Sequence, residues 1–202
     1  MNHQLSMTNL LLLGIRTYLS KENNGQEDIS IQNFISRRST HDEWTSGGSR
    51  TIMFPCRTVI PADTEFMAAA YEIQNVQNRI YMHSNYDPAL IQEEIRKRYH
   101  TPEHTTYESC YLTYQPMPVK VDNPHLADVP QHSKWFANGA ATKKVYLTVS
   151  HTDNGGMNFS FHYHTAHLEE HDMELFYYYL MRILFKGIAE PDMSIGEIME
   201  QI

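Results

Sequence analysis

Residues 143–187 constrain the fold more than any other stretch, because their apolar residues change from a period of two to a helical period. Two runs alternate: Val145, Leu147 and Val149, then Met157, Phe159, Phe161 and Tyr163. Asp153-Asn154-Gly155-Gly156 between them favours a hairpin turn, since Asn and Gly tolerate positive φ. Helical spacing follows at Leu168, Leu175, Phe176, Tyr179, Leu180, Ile183 and Leu184. Gly187 stands where such a helix would end, so the stretch predicts two antiparallel strands and one amphipathic helix.

Seven further segments have the pattern of a helix or a strand. Alternation predicts strands over 29–35, 51–60 and 110–114, the second of them at a sheet edge because Pro55 removes a ladder donor. Helical spacing predicts helices over 7–20, 66–80 and 88–99, and Ser194-x-x-Glu197 is a capping box for a terminal helix. Asp63 or Thr64 is the expected cap of the 66–80 helix. In the 88–99 helix we expect Ile91, Ile95 and Tyr99 to face inward.

The order of these elements predicts one domain over residues 1–202 of the α/β (α+β) class. We expect a two-layer sandwich in which helices cover one face of a mixed, largely antiparallel sheet. The chain has 202 residues, 41% of them hydrophobic, which is enough for one sizeable core. Two stretches are too long and polar for regular elements: 37–50, and 116–142 with Trp135 and Phe136 as expected anchors. Long loops in a compact domain usually have a function or a partner.

Charge and apolarity narrow the possible partners and location. The net charge of −8, from 16 Lys and Arg against 24 Asp and Glu, argues against nucleic acid as a partner. A membrane partner is also not expected, since the apolar run 10–15 is too short to span a bilayer and no polybasic run occurs. We expect a cytoplasmic protein with Cys56 and Cys110 reduced. The apolar start of the chain suggests that upstream residues have been cut away.

Two sets of residues that contain histidine are candidates for metal binding or catalysis. His162, His164, His167 and His171 are clustered, but they straddle a strand end and a helix start, so we expect no metal there. His83 and Asp87 form the one His-x-x-x-Asp of the chain, a spacing in which His can be the general base of an acyltransferase. The alternative is structural, because His83 falls at a helix C-terminus and Pro88 follows Asp87.

Several segments resemble, in order and spacing, the C-terminal lobe of a nonribosomal peptide synthetase condensation domain, which has the chloramphenicol-acetyltransferase-like fold. Asn9-Leu10-Leu11-Leu12-Leu13 is similar to its first helix, and 31–37 to the strand that ends in a Gly- or Ser-x-Arg-like turn. Residues 52–58 resemble the Gly-x-Phe-Val-Asn-Thr pattern, with Phe54 kept and Cys56-Arg57 in place of Asn-Thr. Residues 83–88 resemble the Asn-Gln-Asp-Tyr-Pro-Phe region, 111–116 the next strand, and 161–192 the closing strand, helix and Pro-Asp end.

The resemblance implies half of an enzyme that joins aminoacyl or peptidyl groups by amide bonds. The family's His-His-x-x-x-Asp-Gly belongs to the N-terminal lobe, and no two adjacent histidines occur in this sequence. The resemblance implies that the isolated chain is inactive and binds no cofactor directly, its substrates being carried on the phosphopantetheine of carrier proteins. Implied partners are the N-terminal lobe, the carrier proteins and an adjacent adenylation domain.

The resemblance also implies a loop under the substrate tunnel near 37–50 and a crossover segment near 117–138. Candidate tunnel-facing groups are Arg37, Arg57, Asn85 and Asp87. Two alternatives stay open: a non-catalytic module that binds a carrier protein or an acyl group, and a free-standing acyltransferase using His83.

Overall fold

The computed structural model describes residues 5–38, 40–103, 107–115, 125, 143–152 and 155–202. Six helices occur in these ranges: α1 (Met7–Glu22), α2 (His41–Thr45), α3 (Phe66–Met82), α4 (Pro88–Tyr99), α5 (Glu170–Ala189) and α6 (Ile195–Glu200). The five strands are β1 (Asp28–Ser36), β2 (Thr51–Val59), β3 (Cys110–Gln115), β4 (Val145–His151) and β5 (Met157–Tyr163). The predicted turn residues Asp153 and Asn154, the anchors Trp135 and Phe136, and the crossover segment 117–138 except His125 lie outside the described residues.

The five strands form one mixed sheet in the order β2-β1-β3-β4-β5. The outer pairs, β1 with β2 and β4 with β5, are antiparallel, whereas β3 runs parallel to both of its neighbours. The sheet is therefore mixed as predicted, with its parallel pairs at the centre. β2 is an edge strand, which agrees with the prediction from Pro55, because an edge position leaves that residue's missing N–H without consequence.

Helices α1, α3 and α5 form a layer on one face of this sheet. Helix α1 packs against β1, α3 and α5, and for this reason Leu11, Leu12, Leu13 and Ile15 are all 0% exposed. One face of β4, with Val145, Leu147 and Val149, completes the core with alternate residues of β1 and β3. The opposite side chains of the strands, Gln32 and Tyr111 among them, point to the second face of the sheet.

Local details differ from prediction where packing decides them. Helix α5 continues past Gly187 to Ala189. A Cβ at Gly187 would overlap the ring of Phe66, so this glycine is required by the contact between α5 and α3 rather than by a helix end. Helix α3 has Glu65 as its N-cap with no side-chain bond, rather than Asp63 or Thr64. The predicted loop 37–50 contains helix α2.

Helix α4 lies apart from the helical layer. None of its residues is fully buried, Ile91 and Ile95 are half-buried, and Tyr99 is 63% exposed, so the expected inward position of Tyr99 is wrong. The helix begins at Pro88 after its N-cap Asp87, as predicted, and its first turn faces Met53 across a cleft. Within the part of the chain that the structure describes, no helix is both long and apolar enough to cross a membrane.

Candidate functional site

The second face of the sheet carries a row of aromatic side chains across its central strands. The ring centroids of Phe34 and Tyr111 are 6.2 Å apart, and those of Tyr111 and Tyr146 are 4.6 Å apart. These residues come from β1, β3 and β4 in turn, so the row depends on the parallel register at the centre of the sheet. Tyr111 is 6% exposed, which makes it the buried centre of the row.

A cleft separates helix α4 from this row, and we call it the α4 cleft. Its volume is about 540 Å³, within the range of small-molecule sites. It is lined by Gln32, Ile52, Met53, Pro88, Ala89, Gln92, Arg96, Glu103, Tyr111 and Lys143. The side toward the start of β2 is apolar, and the side toward β3 is polar.

A buried ion pair lies beside the α4 cleft. Glu108 and Lys143 stand just before β3 and β4, and their side chains are only 3% and 8% exposed. The Nζ of Lys143 is 3.9 Å from Oε2 of Glu108 and 5.2 Å from the ring centroid of Tyr111. Burial lowers the pKa of Lys143, and the charge of Glu108 opposes that shift. The pair therefore places a cation at the polar side of the cleft while Glu108 balances its charge.

Two acceptors at this place lack a hydrogen-bond donor among the described residues. They are the side-chain oxygen Oε1 of Gln32 and the Oε2 of Glu108. Ser30 donates a long hydrogen bond of 3.5 Å to the other oxygen of Glu108. Buried polar groups are normally paired, so an unpaired amide oxygen that borders a cleft marks a place for a ligand or a water molecule.

The predicted tunnel arginines lie at opposite ends of the β1–β2 ladder. Arg57 pairs with Ser30, and Arg37 lies seven residues beyond Ser30, which puts them roughly 23 Å apart at about 3.3 Å per residue. Both ends of the Arg57 guanidinium bind Asp28, at 2.8 Å and 2.6 Å. The hydrogen bond to Arg57 lowers the pKa of Asp28.

In the loop between β1 and β2, Arg38 rather than Arg37 makes the hydrogen bonds that stabilise the loop conformation. The guanidinium of Arg38 donates to the backbone carbonyls of Glu43, Ser46 and Gly48. Helix α2 in the same loop has a capping box between Thr40 and Glu43. The sequence contains the signal for this role, because Ser36-Arg37-Arg38 fits the Ser-x-Arg turn with Arg38 as its arginine.

The segment between α3 and α4 contains the predicted His83, Asn85 and Asp87. His83 is the C-cap residue of α3, as the structural alternative expected. The carboxylate of Asp87 accepts a hydrogen bond from the backbone N–H of Ala89, so it caps α4. Asn85 is exposed, and no hydrogen bond joins the side chains of His83 and Asp87.

The clustered histidines surround the end of β5 and the start of α5. The rings of His164 and His167 are 5.0 Å apart, and His171 lies 3.4 Å from Glu174. No group of three or more His, Cys, Asp or Glu residues suited to a metal ion occurs in the described ranges. Cys56 and Cys110 are free thiols buried under the helical layer.

A condensation-domain family model matches residues 1–200. The chain belongs to the condensation domain family. A search of curated proteins finds no match in sequence.

Solved condensation domains have the same fold as this chain. It superposes on the condensation domain of the Monacolin K polyketide synthase MokA with a TM-score of 0.75 at 14% identity, covering 96% of this chain and 44% of that one. The first condensation domain of the calcium-dependent antibiotic synthetase, in complex with a substrate analogue, gives a TM-score of 0.66 at 13% identity. That superposition covers 94% of this chain and 40% of the other. The X-domain in complex with OxyB from teicoplanin biosynthesis gives a TM-score of 0.71 at 17% identity, with 96% of this chain and 42% of the other covered. The chain thus spans less than half the length of these relatives.

Sequence reasoning missed the polar groups in and beside the α4 cleft. Gln32, Glu108 and Lys143 belong to no motif, and they come from three segments that only the parallel register brings together. The one available signal was position, since Glu108 and Lys143 each stand just before an apolar strand. A charged residue at a strand start is common, so that signal alone identifies no site.

Proposed function

We propose that this chain is the C-terminal half of a condensation domain of a nonribosomal peptide synthetase, acting in secondary-metabolite biosynthesis in the cytoplasm. One observation carries the proposal. The chain covers 94–96% of its own length on condensation domains of which it spans only 40–44%. A chain of one lobe would have this relation to a two-lobed domain.

The reaction proposed is attack of an acceptor amine on a donor thioester, both carried on the phosphopantetheine of carrier proteins. The C–N bond forms, the C–S bond breaks, and the amine loses one proton as the thiolate gains one. Such a step needs a base near the amine and donors near the developing oxyanion. His83 has the geometry of a helix cap and Asp87 is occupied by Ala89, so we assign the base to the His-His-x-x-x-Asp-Gly of an N-terminal lobe.

This half supplies a wall of the substrate channel. Holding two tethered reactants together makes their reaction effectively intramolecular, which is a large part of the rate. Asn85 is our first choice among the predicted channel groups because it is exposed, and Arg37 is the second. Arg57 and Asp87 already have the partners Asp28 and Ala89. The proposed protein partners are the N-terminal lobe, the carrier proteins and an adjacent adenylation domain.

A condensation assay tests the proposal. Aminoacyl- and peptidyl-loaded carrier proteins are given to this chain, to the two-lobed domain, and to a His83→Ala variant of each. We expect amide product from both two-lobed proteins and none from the chain alone. Turnover by the isolated chain that His83→Ala abolishes would instead establish the free-standing acyltransferase.

A second candidate is a non-catalytic binding module. The similarity to an X-domain solved in complex with OxyB favours it, since a protein of this fold there binds another protein. The same assay separates the two candidates. A two-lobed domain that binds loaded carrier proteins in a titration but forms no amide would support the binding module.

A further inference from the structure

Among the described residues that line the α4 cleft, Gln32 has an acceptor and Lys143 a donor without a hydrogen-bond partner. The acceptor is Oε1 of Gln32, which no described residue donates to. Oε1 is buried in the orientation observed, and a half-turn about the last torsion of Gln32, which is broad and roughly two-fold, exchanges it with the amide nitrogen. The donor is the ammonium of Lys143, whose closest carboxylate oxygen is 3.9 Å away, longer than a hydrogen bond.

Acceptor and donor both belong to residues beside the ring of Tyr111. The register of β1 and β3 puts Gln32 beside Tyr111, and the Nζ of Lys143 is 5.2 Å from the centroid of that ring. A ligand that satisfies both groups must donate one hydrogen bond and accept another close by. A secondary amide does so, with its N–H toward Gln32 and its carbonyl toward Lys143.

The remaining walls limit the charge and shape of the ligand. Ile52, Met53, Pro88 and Ala89 make the opposite side apolar. Each of the cations Lys143 and Arg96 at the cleft is matched by an acid in the same place, Glu108 and Glu103. A ligand with a net charge would leave this balance uneven, whereas a neutral ligand with an apolar substituent would not.

We propose that the α4 cleft binds a neutral secondary amide with an apolar side group, of the size of one blocked amino-acid residue. The groups that this ligand would contact all belong to this chain, so the inference does not depend on amide-bond formation. Its failure would leave the proposed function untouched, and failure of the condensation assay would leave this site untouched.

The test compares an amide with its ester in titrations of the ¹⁵N-labelled chain followed by NMR. The probes are N-acetyl-leucine methyl ester, which has a single secondary amide, and the analogue in which an ester oxygen replaces the N–H of that amide. We expect saturable binding of the amide, with shifts of the Gln32 side-chain amide signals and at Tyr111, and roughly tenfold weaker binding of the ester. Gln32→Leu should reduce the difference between the probes to within about twofold, while Gln26→Leu on the exposed loop after α1 should preserve it.

Two results would overturn the inference. The first is equal affinity of amide and ester for the unmodified chain. The second is the lack of saturable shifts at Gln32 and Tyr111 with either probe. Both are measured on the unmodified protein, so they decide the question even if Gln32→Leu does not fold.

Discussion

Breaking the buried pair of Glu108 and Lys143 should destabilise the fold through the charge that is left behind. In Lys143→Met the carboxylate of Glu108 stays buried, and the hydrogen bond it keeps among the described residues is the 3.5 Å bond from Ser30. At 3.9 Å and an effective dielectric constant of about 20, the attraction that is lost amounts to about 4 kcal/mol. Because Lys143 borders the cleft, water partly screens the charge. We therefore expect Lys143→Met to lower the free energy of unfolding by about 3 kcal/mol, the lower end of the range for broken buried ion pairs.

The assay is urea unfolding of a double-mutant cycle. We expect Glu108→Gln to cost about 2 kcal/mol, and the double variant Glu108→Gln/Lys143→Met to cost about 3 kcal/mol rather than the sum of 5, because no unpaired charge remains. The control Lys144→Met changes an exposed neighbour of the same type and should cost less than about 0.5 kcal/mol. Additive single effects, with the double variant near 5 kcal/mol, would refute the coupling.

Three further predictions concern other parts of the chain. Arg57 lowers the pKa of Asp28 below its ordinary 3.8, so the stability that the pair contributes is present above that pH and lost as pH falls through the folded-state pKa. Asp28→Asn should therefore lower the free energy of unfolding by less than about 1 kcal/mol at pH 7. A difference between variant and unmodified protein that persists in urea unfolding at acid pH would contradict this. Burial raises the pKa of the Cys56 thiol to about 11 and that of Cys110 to about 12. Neither thiol should therefore react with a disulfide reagent at about pH 8 until denaturant is added. A mass of the native protein that is two hydrogens short would instead indicate a disulfide. Elemental analysis of chelator-free protein should find no stoichiometric zinc, since the clustered histidines follow strand and helix periods.

The elements that the sequence predicts well are those whose pattern is local. The hairpin of β4 and β5 and the helix α1 have alternation or apolar density that few other structures could bury, and both occur as expected. Gly187 shows the limit of this reasoning. Its sequence neighbourhood is that of a helix end, but the reason for the glycine is Phe66, which is 121 residues earlier in the chain.

The candidate site was less predictable because it depends on the order of the strands. Alternation indicates that Gln32 and Tyr111 face away from the core, but nothing local indicates that β1 and β3 are neighbours. The amphipathic pattern of α4 predicted that its apolar side would face inward. Because the helix lies over the second face of the sheet, the apolar side of the helix is only half-buried. Residue types with a recognised chemistry, such as His83 and Asp87, drew attention to a turn where both have structural roles.

The parallel pairs at the centre of the sheet also determine how this chain can fold. The antiparallel pairs β1–β2 and β4–β5 join neighbours in sequence, so each can form as a local hairpin. Strand β3 then has to join the two hairpins, and the loop that closes on β1 includes both α3 and α4. Closing long loops is entropically unfavourable and slow, which makes the docking of β3 the expected late step. Until β3 docks, β1 and β4 each have an open edge, and the partly folded chain is most exposed to mispairing there.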